Sequence, residues 1–138
     1  MVDLTVTAAN VVKGTRAQVV SGLYGATVTA GQTVYADPAD AGRYKLADAD
    51  SATAAVRATA GIALNSGSAG QPADVQEGGR INPGATVAVG TIYVQSDTPG
   101  GIMPAADLET GDFVTVLGVG VSASQIELSI HRSGVAVP

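Results

Sequence analysis

The sequence predicts an all-β protein, a compact barrel or sandwich built from two similar units of about 58 residues. The main observation is a repeat: residues 26–35 (ATVTAGQTVY) return one residue shorter as residues 85–93 (ATVAVGTIY). A second landmark, residues 61–64 (GIAL), returns in the same order as residues 118–121 (GVGV). In addition, 18 glycines and 6 prolines interrupt the chain at short intervals, which favours many short strands over long helices.

The length of 138 residues is that of one domain with a single hydrophobic core. Residues 1–13 alternate polar and apolar side chains and have no counterpart in the repeat, so we predict an extended N-terminal arm there. Residues 14–138 form the predicted β-domain, with its two units at about 26–79 and 85–134. Because the arm lies outside the repeat, the pattern predicts that the domain folds without it.

The predicted elements follow from runs of β-branched residues between Gly, Pro and Asp turn signals. Strands are predicted at 18–21, 26–29, 33–36, 43–46, 56–64, 73–77, 86–89, 91–95, 112–121 and 125–130. Turns are predicted at 37–42, 78–79, 82–84 and 97–101, and short helical turns at 47–55 and 104–108. Two copies of a unit with four or five strands would close on each other, and the sequence leaves barrel and sandwich both open.

The charge balance argues against a nucleic-acid partner. The net charge is −5, and only seven basic residues are scattered along the chain. Arg43 and Lys45 come nearest to a basic patch, but they lie among aspartates, whereas phosphate binding needs clustered Lys and Arg.

Neither a membrane span nor a secretory signal is expected. The longest uncharged run, residues 17–36, contains three glycines and two glutamines and alternates like two strands with a turn. The first four residues include an acid and no basic segment before an apolar one, so the product is expected to remain in the cytosol where it is made.

The chain contains few residues of the types that usually carry catalysis. His131 is the only histidine and cysteine is absent, so neither a nucleophile–histidine pair elsewhere nor a transition-metal site is expected. Asp48 and Asp50, with two further aspartates at 37 and 40, resemble the start of a calcium loop that lacks its central Gly and terminal Glu. Tyr35 and Tyr93 occupy matched repeat positions and are interpreted as packing residues. We therefore expect no catalytic residue, cofactor or metal.

Several segments resemble the head decoration, or capsid cement, proteins of tailed bacteriophages. They are spread nearly end to end along the chain, at residues 2–11 (VDLTVTAANV), 25–35 (GATVTAGQTVY), 44–48 (YKLAD), 61–65 (GIALN), 111–118 (GDFVTVLG) and 133–138 (SGVAVP). These are small and β-branched residues typical of a fold, so no catalytic motif is carried over.

The resemblance implies a non-enzymatic virion protein on the outer capsid surface. Its partners would be the major capsid protein and two further copies of itself, in a homotrimer at a local three-fold position. On this basis the arm supplies the expected contacts with the capsid or within the trimer, through Leu4, Val6, Val11 and Val12.

Two alternatives remain open. A tail or fibre component would share the β-rich, cysteine-free composition, and it would associate with tails instead of heads. A carbohydrate-binding module or small hydrolase belongs to a different class, and it would lose glycan binding or turnover when Asp48 and Asp50 are replaced.

Overall fold

The computed structural model describes residues 3–138, and most of the regular structure in this range is β-strand. The ten strands are β1 (Val11–Lys13), β2 (Gln18–Leu23), β3 (Thr33–Asp37), β4 (Arg43–Leu46), β5 (Gly61–Ala63), β6 (Pro72–Pro83), β7 (Ile92–Gln95), β8 (Ile102–Pro104), β9 (Phe113–Gly120) and β10 (Ile126–Ala136). Within the described residues, helical structure is limited to α1 (Ala54–Arg57) and 3-10 turns at Ala8–Asn10, Pro38–Asp40 and Ala105–Asp107. The predicted all-β class is confirmed.

The strands form one sheet that curls into a half-barrel, in the order β4-β3-β5-β6-β10-β9-β7-β8. The strand order is the same when it is followed inward from either end of the sheet, because β4-β3-β5-β6 on one side corresponds to β8-β7-β9-β10 on the other. Strands β6 and β10 are antiparallel neighbours at the centre. Each strand pairs with its neighbours in antiparallel fashion, so the hydrogen-bonding ladder runs from β4 to β8.

The long strand β6 has partners on both of its edges. Ile81 pairs with Ile126 of β10 on one side and with Lys13 of β1 on the other. Gly78 pairs with Ser129 of β10 and with Gln18 of β2. Since β10 occupies one edge, β1 and β2 both lie along the other. We call residues 11–13 and 18–23 together the β1–β2 edge.

The matched landmarks of the repeat make equivalent backbone hydrogen bonds. The Gly31 amide donates to Ala63 O, and the Gly90 amide donates to Gly120 O, each at 2.8 Å. Both glycines have a positive φ, +92° and +80°, which a residue with a side chain rarely adopts. These correspondences are local, and the organisation into two units at 26–79 and 85–134 stays a prediction.

Two of the predicted strands, at 26–29 and 86–89, are wrong. Val28 and Val87 are buried, but their amides donate to loop carbonyls, Gly67 O and Ala123 O, instead of to a strand ladder. Each segment inserts one β-branched side chain into the core and then turns at the following glycine. The predicted strand at 56–64 is also interrupted, because α1 ends at Arg57 and β5 begins only at Gly61.

The core consists of two clusters of small and medium side chains. One cluster contains Ile62, Ile81, Val87, Tyr93, Ile102, Leu117, Ile126 and Leu128, and the other contains Tyr24, Val28, Val34, Ala63, Ala73 and Val75. Tyr35 and Tyr93 are both buried, in agreement with their interpretation as packing residues.

A fully buried amide, Gln95, connects the two ends of the sheet. Its Nε2 lies 3.0 Å from Ala47 O, which follows β4, and 3.2 Å from Gly101 O, which precedes β8. Its Oε1 accepts a hydrogen bond from the Thr59 hydroxyl at 3.0 Å. The side chain is 0% exposed, so these bonds replace its contacts with water.

The described part of the predicted arm lies against the domain. The Leu4 amide donates to Ile102 O and the Thr7 amide to Gly84 O, both at 2.8 Å, and Asp3 accepts a hydrogen bond from the Ser96 hydroxyl. Leu4 and Val11 pack against the first core cluster. An arm extending away from the domain is therefore not confirmed, and residues 1 and 2 lie outside the described part of the chain.

Candidate interaction site

The most exposed regular element is β2, at the β1–β2 edge. All six of its residues, Gln18–Leu23, are exposed, and β6 is its only strand partner within residues 3–138. Val19, Val20 and Leu23 are 39%, 37% and 43% exposed. The sequence QVVSGL contains neither charge nor proline, two of the features that oppose pairing of an open edge with another chain.

The four arm residues predicted as contacts fall into two groups. Leu4 and Val11 pack against the core, and Val6 lies against Gly31, where an added Cβ would collide with the valine side chain. Val12 is 57% exposed and belongs to the β1–β2 edge together with β2. A contact of any of the four with a capsid or a second copy stays a prediction.

Of the two basic residues in β4 that come nearest to a basic patch, Lys45 is neutralised by neighbouring carboxylates. Its ammonium lies 2.8 Å from the Asp37 carboxylate and 3.3 Å from that of Asp40. The hydrogen bond from Lys45 lowers the pKa of Asp37, with a smaller contribution from the Ala39 amide. Asp37 and Asp40, two of the four aspartates that resemble the start of a calcium loop, are therefore paired with Lys45.

Three carboxylates from distant parts of the chain lie close together in the fold. Side-chain oxygens of Asp50, Asp97 and Asp112 all lie within 4.8 Å of one another. Burial raises the pKa of Asp97, and the charges of Asp112 and Asp50 raise it further. Among residues 3–138 these three could hold a hard divalent cation, because such ions prefer carboxylate oxygens. Acidic groups of this kind also occur without an ion, so we assign no metal.

Sequence reasoning identified only Asp50 of these three residues. Asp97 follows β7 and Asp112 directly precedes β9, and neither has a local motif that announces a site. They meet because Phe113 N donates to Ala49 O and Ala49 N donates to Ser96 O, which join three distant segments. Only tertiary pairing of this kind brings the carboxylates together.

The adjacent Asp48 should make stability dependent on pH. Burial, together with a hydrogen bond and the charge of Asp50, raises the pKa of Asp48 to about 6 from an ordinary value of 3.8. The folded state therefore holds this proton more tightly than the unfolded chain does, and stability falls as the pH rises from about 4 through 6.

We expect Asp48→Asn to raise the midpoint of urea unfolding at pH 7.5 and to change it little at pH 4. Glu77→Gln removes the same charge from an exposed carboxyl and serves as the control. An equal increase at both pH values would contradict the assignment to Asp48 ionisation.

His131 is exposed on β10, opposite Val116 of β9. None of the ion pairs and hydrogen bonds of the described residues joins a carboxylate to its ring. Its surroundings therefore supply no evidence for a catalytic pair.

Among residues 3–138, no helix combines the length and the apolar character that a membrane crossing needs.

The comparisons with known proteins leave the family open. No protein family model matches the sequence, and a search of curated proteins found no significant match.

Proposed function

We propose that this protein is a non-enzymatic decoration protein that binds the outer surface of an assembled phage head and stabilises contacts between major capsid protein subunits. The observation that carries the proposal is the β1–β2 edge, where six consecutive residues are exposed and the backbone groups of β2 that face away from β6 have no strand partner among residues 3–138. The partner is inferred from the resemblance of segments spread nearly end to end along the sequence to head decoration proteins.

Strand addition explains how such an edge would bind. An extended segment of a partner pairs with the free N–H and C=O groups, and the side chains beside it supply apolar contact. At the β1–β2 edge this contact would come from Val12, Val19, Val20 and Leu23. The rest of the half-barrel is already ordered, so docking costs little conformational entropy.

Three copies around a local three-fold position would multiply this contact. Linked copies on a symmetric lattice bind more strongly than one copy alone, because each later contact is made at high effective concentration. Light scattering of the purified protein and counting of copies on heads test the trimer. A monomer both in solution and on heads would contradict it.

The test of head binding uses sedimentation of expanded heads from the phage that carries the gene. We expect Val19→Lys to reduce occupancy at least tenfold, about 1.4 kcal/mol, because a lysine on an edge strand opposes pairing. Val89→Lys is the matched control, since Val89 is 69% exposed in the turn before β7 and lies outside the β1–β2 edge.

Three outcomes would count against the proposal. Association with tails instead of heads would identify a tail component, and binding to neither would remove the capsid role altogether. Equal loss in the Val19 and Val89 variants would mean that general surface charge, and not the β1–β2 edge, governs binding.

A further inference from the structure

A cavity of about 170 Å³ lies between α1 and the last strands of the sheet. Two arginines, Arg57 and Arg132, line it together with Phe113 and Thr115. Two alanines of the α1 region, Ala54 and Ala58, complete an apolar wall. In a chain with a net charge of −5, a small cavity with two guanidinium groups is a distinct electrostatic feature.

Arg57 is held in place by its surroundings. Its guanidinium carbon lies 3.5 Å from the centre of the Phe113 ring, and one Nη1 hydrogen bond reaches Ser51 O at 3.2 Å. The Thr115 hydroxyl donates to the backbone carbonyl of Arg57 at 3.1 Å, which fixes the residue to β9. Stacking on a ring leaves the edge of the guanidinium plane available for hydrogen bonds.

Arg132 is anchored from the other side of the cavity. Its Nη1 donates to Thr59 O at 2.6 Å, and the guanidinium group has four further N–H donors. Arg16, Lys45 and Arg80 each lie within 4.0 Å of a carboxylate, but the ion pairs among residues 3–138 include neither Arg57 nor Arg132.

We propose that this cavity binds the carboxylate of an aspartate or glutamate side chain presented by a partner protein. A guanidinium fork matches the two oxygens of a carboxylate, and the alanines and Phe113 can contact the methylene groups behind it. A polyanion such as nucleic acid is disfavoured by the net charge of −5. The site is separate from the β1–β2 edge and does not depend on the capsid proposal.

The test is an NMR titration of the full chain with N-acetylglutamate methylamide as the probe. We expect saturable shifts of the Arg57 and Arg132 side-chain N–H signals and of the Phe113 ring. The neutral N-acetylglutamine methylamide should produce none of them. Inorganic phosphate, titrated in parallel, distinguishes a side-chain carboxylate from a free anion.

Four variants locate the binding. Arg57→Gln and Arg132→Gln should each weaken the affinity at least tenfold, whereas Arg43→Gln, the same charge change outside the cavity, should leave it unchanged. Arg57→Lys retains the charge but loses the planar fork, so it should also bind less tightly than the wild type. Circular dichroism confirms that each variant is folded.

The proposal is overturned if the shifts do not saturate, or if they persist in the Arg57→Gln and Arg132→Gln variants. It is likewise overturned if phosphate binds more tightly than the glutamate probe. Neither result would bear on head binding through the β1–β2 edge, so the two proposals can fail independently.

Discussion

Replacement of Gly118 by alanine is expected to lower the free energy of unfolding by about 3 kcal/mol, near the upper end for an overpacked core position. Gly118 lies in β9 between β7 and β10, where it pairs with Tyr93 and Leu128. A Cβ at this position would lie 2.0 Å from Glu127 O and 2.8 Å from its carbonyl carbon. These atoms belong to the backbone of the adjacent strand, so relief requires the two strands to separate.

Gly70→Ala is the matched control for this prediction. Gly70 has a φ of +86° and no atom within 4 Å of the added Cβ, so only conformational strain opposes the alanine. We expect a loss of about 1 kcal/mol there. Urea unfolding of both variants measures the difference, and a loss at Gly118 no larger than that at Gly70 would contradict the expected collision cost of about 3 kcal/mol.

Removal of residues 1–13 is expected to lower the free energy of unfolding by about 4 kcal/mol, mainly from the lost burial of Leu4, Val6 and Val11. This revises the expectation from the sequence that the domain folds without this segment. The deletion also removes β1, which pairs with the 81–83 end of β6. Thermal unfolding followed by circular dichroism measures the effect.

Val11 and Val12 provide the internal comparison for this prediction. They are adjacent and identical in type, but Val11 packs against the core and Val12 is 57% exposed. We expect Val11→Ala to destabilise the domain by about 1 kcal/mol and Val12→Ala to have little effect on stability.

An unfolding transition that is unchanged by removal of residues 1–13 would contradict the prediction. The segment would then be an appendage of the domain, as the alternating pattern suggested.

Local chemistry accounts for what the sequence predicts well. The Asp37-Pro38 turn signal and the positive φ of Gly42 delimit β4, whose predicted bounds match the structure.

The turn predicted at Gly78 and Gly79 is wrong, because both glycines lie inside β6. An added Cβ would meet the Gln18 side chain at Gly78 and the Arg16 carbonyl at Gly79, so these glycines permit close approach of the chain that leads into β2.

The candidate sites could not be predicted to the same extent, because exposure is decided by partners distant in sequence. Val19 and Val20 are adjacent β-branched residues of a kind common in buried strands, and their side chains point to opposite faces of β2. Only the tertiary structure shows that both are exposed. Arg57 and Arg132 are 75 residues apart in numbering, and they share a cavity because β10 passes α1. Neither the exposure of β2 nor the meeting of the two arginines is indicated by the residues adjacent in sequence.

The Gln95 side chain has a consequence for how the molecule opens. Its amide contacts segments next to β4, β5 and β8, so these parts of the sheet cannot separate from β7 one at a time without leaving buried polar groups unpaired. Fraying from either end of the sheet is therefore opposed by a bond to the other end. Backbone amides near Ala47 and Gly101, although both lie in irregular segments, should exchange their hydrogens with solvent at the slow common rate of global unfolding.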